Sequence, residues 1–382
     1  MVDKDIAEIM GDTSYEAAAP TRKRFFPWHK PRKQFVRHSQ WITQIRHLVE
    51  TNGNNEISYL GLPGNDLLDL RYIYDELCKD SNRSLKFLGF NTALSNQSDD
   101  ATEINISLDE LLKLDNISSE SEILKDNFVD ISARDTIAHR RFIEHGPFDV
   151  VNLDLCDCLA KHTPNTFGKN HYNATMELLS LQSRRTKPWL LFLTTKVSKE
   201  EVNKEISDIF LGIYRKNLTD CENFSRVSDE NLEISLENLL ESIDDRDKFL
   251  KIFVTGLCKW LFSYSLGFRP QVTGEVKSIQ GYKVFDGSPT TDLISLAIMF
   301  TPKHQIAPDL FEISTPRVSI ITECSLAPPV ANRAGNILNV DDLLSLNDEL
   351  RKEMEEQTID LMTKARYESS KVRRWISEGC NL

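Results

Sequence analysis

The chain has 382 residues, of which 40% are hydrophobic and 27% charged, and its formal net charge is -12. This composition supports a sizeable core and excludes a globally disordered chain, while the length predicts two domains or one domain with appendages. An acidic chain is not a strong whole-molecule candidate for binding nucleic acid, although a local basic patch can still do so.

Seven cysteines are scattered along the chain, and their number is odd. This pattern argues against a disulfide framework and for a reducing compartment. There is no Cys-x-x-Cys pair, and we predict no metal site. The first residues are polar and lack the apolar stretch of a signal peptide, and no apolar run is long enough to span a bilayer. The sequence therefore predicts a cytoplasmic protein without membrane contact.

Residues 1–20 lack periodicity and are predicted to be a disordered tail. Residues 21–54 are predicted as a basic and aromatic arm followed by a helix. Seven Arg and Lys residues lie between positions 22 and 37, interleaved with four aromatic residues. Either this arm is solvated, with its rings packed on the domain, or it binds nucleic acid through phosphate contacts and base stacking. The nucleic-acid contacts would come from Arg32, Lys33 and Arg37.

A strand, a tight turn, a helix and a second strand follow between positions 57 and 90. The apolar strand 57–62 leads into a turn that contains Gly61, Pro63 and Gly64. Asp66 then fits the N-cap of a helix whose apolar residues recur at helical spacing. With the second strand at 85–90, this βαβ unit predicts a parallel pair with a right-handed crossover.

The next part of the chain repeats the alternation of strand and helix. Residues 91–125 are polar and are predicted to be an insertion that contains a short helix at 107–114. The last of the following strands is apolar almost throughout, as in the centre of a parallel sheet. Strands are predicted at 127–131, 148–155 and 188–195, and helices at 136–144, 170–184 and 198–215.

The C-terminal part begins with an acidic insertion, 217–247, and a buried helix at 246–265. Two strands, at 274–284 and 292–301, surround an Asp-Gly-Ser-Pro turn and predict an antiparallel hairpin. The extension 302–382 contains a long predicted helix from 340 to 377. Its apolar stripe predicts packing on the domain, or pairing with a protein partner or a second copy. The stripe consists of Leu343, Leu346, Leu350, Met354 and Leu361.

Residues 55–301 are thus predicted to form an α/β domain, a doubly wound, mostly parallel sheet with a C-terminal antiparallel hairpin and helical appendages. Five α/β steps that end in such a hairpin resemble the class I, Rossmann-like, S-adenosylmethionine-dependent methyltransferases. The resemblance implies S-adenosylmethionine as cofactor and a cover over it from the segment before the first strand. The His-Lys-Pro-Arg-Lys-Gln segment at 29–34 also resembles an uncharacterised bacterial protein group, which implies no activity.

The resemblance implies cofactor contacts at the ends of the first three strands. The Gly-Leu-Pro-Gly turn would lie over the methionine part, the residue after strand two would hold the ribose, and polar residues after strand three would contact adenine. Two positions depart from the family, since Pro63 removes a backbone donor and Asn91 replaces the ribose-binding acid. The implied cofactor residues are Gly61, Pro63, Gly64, Asn91, Asp130, Ser132 and Asp135.

The end of the fourth strand carries the implied chemistry. Asp154 matches the family's acid beside the transferred methyl group and would orient or deprotonate the acceptor, with Asp157 close behind. Ligands of open α/β sheets bind at the carboxyl ends of strands near the switch in strand order, which favours this position. The strand lacks the Asn/Asp-Pro-Pro-Tyr/Phe loop of nucleic-acid enzymes that methylate amino groups.

Three functions remain open at this point. The first is a methyltransferase that uses S-adenosylmethionine. The second is an inert, methyltransferase-like interaction subunit of a multi-protein assembly, such as a bacterial defence system, which Pro63 and Asn91 favour. The third is a nucleic-acid-binding module that uses the basic arm at 22–37.

Overall fold

The computed structural model describes residues 23–95, 98–155, 157–161, 168–284, 288, 291–303 and 321–381. The predicted tail at 1–20 lies outside the described residues. So do Arg22, Cys156 and most of the predicted Asp-Gly-Ser-Pro turn.

The described residues form one sheet of eight strands. They are β1 (Glu56–Gly61), β2 (Ser84–Phe90), β3 (Glu122–Leu124), β4 (Val150–Asp154), β5 (Trp189–Lys196), β6 (Val272–Tyr282), β7 (Leu293–Pro302) and β8 (Leu338–Asn339). Their order in the sheet is β3-β2-β1-β4-β5-β7-β6-β8. Strands β1 to β5 are parallel, β7 runs antiparallel to β5 and β6, and β8 pairs in parallel with β6. The predicted fold class, a mostly parallel α/β sheet with an antiparallel hairpin, is confirmed.

Helices connect and cover these strands. The first two helices are joined by a π-helical segment, Val36–Ile42. The helices are α1 (Pro31–Phe35), α2 (Thr43–Asn52), α3 (Leu68–Leu77), α4 (Asp99–Leu112), α5 (Ile137–His145), α6 (His171–Gln182), α7 (Lys204–Asp220), α8 (Glu222–Leu232), α9 (Leu239–Ser242), α10 (Arg246–Leu266), α11 (Glu323–Gly335), α12 (Val340–Leu346), α13 (Asp348–Lys364) and α14 (Ser369–Ser377).

The sheet has a hydrophobic core on each face. Successive residues of a strand point to opposite faces, so Tyr59 of β1 joins one core and Leu60 joins the other. The core around Tyr59 is closed by α1 to α3 and by the C-terminal helices α13 and α14. The core around Leu60 is closed by helices that include α6 and α10. Burial on both faces explains why β5 is apolar almost throughout.

One described helix, α10, is long and apolar enough to meet the length and composition of a membrane span. In the structure, 67% of that apolar stretch is buried inside the protein. Its side chains Phe253, Leu257 and Leu261 belong to the core around Leu60, so its apolar character is accounted for by packing.

The position predicted for the third strand is wrong. The sheet uses β3, and the predicted stretch 127–131 is a 3-10 helix, Phe128–Ser132. Asn127 caps this helix, because its side chain accepts a hydrogen bond from the Val129 N–H while Asp130 accepts one from the Asn127 N–H. This reciprocal capping turns the backbone away from the strand conformation. The predicted helix at 107–114 also begins earlier, at Asp99, where Ser98 caps α4.

The single long helix predicted at 340–377 is instead three helices, α12, α13 and α14. Asn347 separates the first two and caps α13 by accepting from the Leu350 N–H. Arg366 has a φ of 69°, a left-handed conformation that ends α13 before α14 begins. Met354 and Leu361 of the predicted stripe are buried in the core around Tyr59. The stripe therefore serves mainly to pack the C-terminal helices on the domain.

The scattered cysteines argue against a disulfide framework, and the described residues contain one disulfide. Cys221, between α7 and α8, is bonded to Cys324 in the first turn of α11. The two residues are 103 positions apart in the sequence. Neither has a neighbouring cysteine that would signal the pairing.

Candidate functional site

A cleft lies at the carboxyl ends of β1, β2 and β4, where the strand order reverses between β1 and β4. Such a reversal leaves a crevice, which is where ligands bind in open α/β sheets. The cleft measures about 530 Å³, a size typical of small-molecule sites. Its apolar lining comes from side chains near strand ends, namely Leu62, Phe90, Phe128 and Leu155.

The two glycines of the predicted turn have different roles. Gly61 is buried at the end of β1, and a Cβ there would meet the Tyr59 ring at 2.6 Å, so the position requires glycine for packing. Gly61 does not line the cleft, whereas Pro63 and Gly64 do. A Cβ on Gly64 would lie 3.5 Å from Nε1 of Trp28, so the indole covers part of the turn.

Asn91, at the predicted ribose position, lines the cleft but already makes two hydrogen bonds. Its Nδ2 donates to the Pro63 carbonyl at 2.9 Å, and its Oδ1 accepts from the Ala93 N–H at 2.9 Å. The side chain therefore ties the end of β2 to the first turn. A carboxylate at this position could not donate to the Pro63 carbonyl, which gives the replacement of the family's acid a structural reason.

Asp154, at the end of β4, faces a buried base. Nζ of Lys33 lies 2.6 Å from Asp154 Oδ1, 3.2 Å from the Tyr282 hydroxyl and 4.5 Å from the Trp41 ring centroid. Burial alone would lower the pKa of Lys33, but Asp154, together with Tyr282 and Asp69, outweighs burial and holds that pKa above its usual value. Lys33 is therefore a fixed positive charge behind the predicted catalytic acid.

Asp66 was predicted to cap α3, and this prediction is wrong. The N-cap position is held by Leu67, which has a φ of 51°, and the Asp66 carboxylate turns towards the N-terminal segment. It lies 2.6 Å from Lys23 Nζ and 3.3 Å from His29 Nε2. Burial alone would raise the pKa of Asp66, but the hydrogen bond from His29 and the charge of Lys23 outweigh it and lower that pKa to about 2.

Residues 23–37 form a cover over one side of the cleft, which we call the N-terminal cover. Each of three cleft carboxylates pairs with a base from this segment. Lys33 pairs with Asp154, Lys23 and His29 lie against Asp66, and Nε of Arg37 lies 2.6 Å from Oδ1 of Asp69. Phe26 and Trp28 stack on each other at 4.5 Å between ring centroids and line the cleft as well.

These pairs bear on the predicted nucleic-acid contacts. Lys33 and Arg37 are buried, and Arg32 lies 3.0 Å from Asp341 while it donates to the Lys283 carbonyl. All three side chains are engaged inside the protein, so the structure gives no support to the prediction that they contact phosphates. The basic pattern of the arm has an internal use, which is to neutralise acids at the edge of the sheet.

Asp157 lines the mouth of the cleft and accepts hydrogen bonds from Lys161 at 2.7 Å and from the Cys158 N–H at 2.8 Å. Partial burial alone would raise the pKa of Asp157, but these donors lower it. Asp154 and Asp157 are thus brought to the same cleft, as predicted, and their catalytic roles stay a prediction.

The three residues predicted near adenine do not line the cleft. Asp130 pairs with Lys169 and caps the 3-10 helix, Ser132 donates to the Val129 carbonyl, and Asp135 is exposed. The displaced third strand explains this, because the residues that follow the actual β3 come to the cleft instead. They are Asp126, Asn127 and Phe128.

Several other cleft residues were missed by the sequence reasoning. Asp100, at the start of α4, and His171, at the start of α6, both line the cleft. Burial lowers the pKa of His171. Helix starts that follow strands in an α/β unit are a usable signal for such positions. The start of α6 was predicted to within one residue, whereas α4 begins eight residues before its predicted start. His171 was interpreted as an isolated surface or satisfied histidine.

S-adenosylmethionine carries a sulfonium and an ammonium charge beside an adenosine group, and the cleft suits it in two respects. The exposed carboxylate of Asp100 and the half-buried carboxylates of Asp126 and Asp157 line the cleft and favour positive charge. Phe90 and Phe128 give an apolar, aromatic floor of the kind that adenine contacts. At Pro63 the turn lacks a backbone donor, and at Asn91 an amide bonded to the turn stands where the resemblance implies a carboxylate.

Three solved structures resemble the chain at low identity, and two of them are named as methyltransferases. A protein from Listeria monocytogenes, named as a class I S-adenosylmethionine-dependent methyltransferase, is 12% identical, with 81% of this chain and 71% of that chain covered and a TM-score of 0.36. A protein named as an rRNA methylase from Clostridium thermocellum is 10% identical, with 70% and 96% covered and a TM-score of 0.31. EvdMO1 is 11% identical, with 69% of this chain and 41% of that chain covered and a TM-score of 0.29. Since all three TM-scores are low, the fold assignment rests on the strand order.

At the level of sequence, no curated protein matches the chain. One family model matches it over residues 22–377, which is nearly the whole length. The match includes the N-terminal cover from Lys23 onward, the full sheet and the C-terminal helices. The chain belongs to the PP_RS20740-like family.

Proposed function

We propose that the chain binds S-adenosylmethionine in the cleft and transfers its methyl group to an acceptor. The observation that carries the proposal is the position of the cleft at the reversal between β1 and β4, with Gly64 on one side and Asp154 on the other. The bound cofactor would supply an electrophilic methyl group. The protein would contribute alignment and electrostatics, because methyl transfer depends mainly on placing the acceptor in line.

The residues that would hold the cofactor follow from the lining of the cleft. The Pro63–Gly64 turn lines the space, and Phe90 and Phe128 offer apolar contacts for a purine. Asp100, Asp126 and Asp157 would balance the positive charges of the ligand. Asn91 would act through the turn, since its amide holds the Pro63 carbonyl in place.

Asp154 is proposed to orient the acceptor. Its side chain is 19% exposed although Lys33 holds one of its oxygens, so the carboxylate reaches the cleft in a fixed position. A fixed carboxylate can accept a hydrogen bond from an acceptor N–H or O–H and direct its lone pair. The Lys33 ammonium lies 2.6 Å from Oδ1 and fixes the carboxylate in place, which suits orientation by hydrogen bonding.

Calorimetric titration of the full chain with S-adenosylmethionine and S-adenosylhomocysteine tests the proposal. We expect both to bind, and we expect Gly64→Leu to weaken binding at least tenfold, because an added side chain at this exposed turn enters the cleft. Gly212→Leu is the matched control, since Gly212 lies in α7 with open space around its Cβ position. Absence of binding by either ligand would contradict the proposal.

A second candidate is a methyltransferase-like chain that binds the cofactor or a related nucleoside without transferring a methyl group. The Lys33–Asp154 pair favours it, because an ammonium group occupies one side of the predicted acceptor-orienting acid. Such a chain would work as an interaction subunit. The two candidates are separated by incubating the protein with methyl-labelled cofactor and a cell extract. Labelled product supports transfer, whereas cofactor binding with no labelled product supports the interaction subunit.

A further inference from the structure

The disulfide between Cys221 and Cys324 lies in a helical lobe outside the cleft. Cys221 is the last residue of the turn between α7 and α8, and Cys324 is the second residue of α11. Their Cα atoms are 5.5 Å apart, a separation at which a disulfide forms without moving the backbone. The bond therefore joins two elements whose cysteines are 103 positions apart in the sequence.

The surroundings of this pair differ from those of the other buried cysteines. Cys221 and Cys324 each lie at the start of a helix of more than ten residues, where backbone N–H groups stabilise a thiolate. Cys324 is exposed to solvent while Cys221 is buried. By contrast, burial raises the pKa of Cys78 and Cys258 to about 12. Among the cysteines that the structure describes, only this pair combines helix-start positions with access from solvent through one partner.

The bond fixes the start of α11 to the lobe. Ala327 and Ala331 of α11 pack into a small core that also holds Tyr214 and Phe224. Nζ of Lys259, in α10, lies 2.8 Å from Oε1 of Glu323, the residue before Cys324. Without the disulfide, α11 would keep these packing and ionic contacts, so opening the bond would loosen the first turn of the helix and leave the fold intact.

We propose that Cys221 and Cys324 form a reversible redox site, which is opened and closed by exchange with a low-molecular-weight thiol and its disulfide and which locks α11 to the α7–α8 lobe. The odd, scattered cysteines and the buried thiols of Cys78, Cys158 and Cys258 fit a reducing compartment, where a disulfide that solvent reaches at Cys324 would be subject to exchange. The proposal is independent of the proposed methyl transfer.

The exchange balances with glutathione as the co-reactant. The Cys324 thiolate attacks one sulfur of oxidised glutathione, whose S–S bond breaks, and one glutathione leaves as a thiolate that takes up a proton. The Cys221 thiolate then attacks the Cys324 sulfur of this mixed disulfide and expels the second glutathione. The protein loses two electrons and two protons in total, and oxidised glutathione gains them as two thiols.

The test equilibrates the folded full chain in glutathione buffers of different ratio, quenches each sample with N-ethylmaleimide and measures the intact mass. We expect two more cysteines to be alkylated in reduced glutathione than in oxidised glutathione, and the difference to reverse when the buffers are exchanged. The melting temperature of the opened form should fall by roughly 5 °C. Cys221→Ser and Cys324→Ser should each abolish the two-cysteine difference and leave at most one cysteine protected, as a glutathione adduct visible in the intact mass, whereas Cys380→Ser, the matched control, should retain the two-cysteine difference.

Three outcomes would overturn the proposal. The first is a pair that stays alkylatable in oxidised glutathione, which would mean that the bond does not form. The second is a pair that resists reduced glutathione while the protein is folded, which would mean a permanent structural bond. The third is loss of the redox difference in Cys380→Ser, which would assign the exchange to another pair.

Discussion

Nζ of Lys33, in the N-terminal helix α1, lies 2.6 Å from Oδ1 of Asp154, at the end of β4 and 121 residues away in the sequence. The lysine side chain is 3% exposed and the aspartate side chain 19% exposed. The N-terminal cover thus supplies a buried charge to the point where the resemblance places the acceptor-orienting acid. The stability of the cover and the charge state of the cleft therefore depend on the same contacts.

Lys33→Met is expected to destabilise the protein by about 3 kcal/mol, because it leaves a partly buried carboxylate without its partner. Urea denaturation followed by circular dichroism measures the loss. Lys113→Met is the control, since Lys113 pairs with Asp109 on an exposed helix surface and its loss should cost less than about 0.5 kcal/mol. Equal stability of Lys33→Met and the parent protein would show that the pair does not form.

Tyr367→Phe tests how the C-terminal helices support the cover. The Tyr367 hydroxyl donates to Oδ2 of Asp66 at 2.9 Å and lies 2.9 Å from the Arg24 carbonyl. Removing the Tyr367 hydroxyl should lower the free energy of unfolding by about 1.5 kcal/mol, as for a hydrogen bond to a charged group. Denaturation of Tyr367→Phe is compared with Tyr264→Phe, whose hydroxyl has no hydrogen bond within the described part of the chain. A larger loss at Tyr264 would contradict the role of Tyr367.

The stability of the folded protein in acid should depend on the Asp66 carboxylate. Its pKa is lowered to about 2 in the folded chain, from an ordinary value of 3.8, so the unfolded state binds the proton more readily. Asp66 therefore contributes stability above pH 4, and this contribution, roughly 2 kcal/mol, is lost as pH falls from 4 to 2. Melting temperatures measured across this window should fall less steeply for Asp66→Asn than for the parent. Asp109→Asn, at an exposed position, should follow the parent curve.

Removing residues 348–382 is expected to unfold the domain, so that the remaining chain does not fold by itself. The deletion takes away buried side chains that include Met354, Leu361 and Trp375, and cavities of this size cost several kcal/mol each. Circular dichroism and size-exclusion chromatography would show lost helix and aggregation. Leu346→Ser is the contrasting change, since Leu346 is 87% exposed and its replacement should leave stability unchanged. A folded, monodisperse truncated chain would contradict this account of the C-terminal helices.

The sequence predicted the sheet where apolar periodicity was strong. The unit from β1 to β2 and the central strand β5 were located to within a residue or two, because burial on one or both faces dictates their composition. The strand β3 was not predicted, since its three residues are too few to show periodicity. The nearby Phe-Val-Asp-Ile stretch has the composition of a strand, but Asn127 caps it as a 3-10 helix.

The cleft was predicted in part, for a related reason. Pro63, Gly64, Asn91, Asp154 and Asp157 come to the cleft because they follow strand ends, and strand ends can be identified from sequence. The burial of Lys33 and Arg37 could not be predicted from the sequence. A basic residue is usually exposed to solvent, and the acids that pair with these two lie elsewhere in the chain.

The most direct test of the central claim is a crystal structure of the full chain grown with S-adenosylhomocysteine. The account predicts the nucleoside in the cleft between β1 and β4, against the Pro63–Gly64 turn and within contact of Phe90 or Phe128. Ligand density at another position, or a cleft that excludes the nucleoside at saturating concentration, would contradict it.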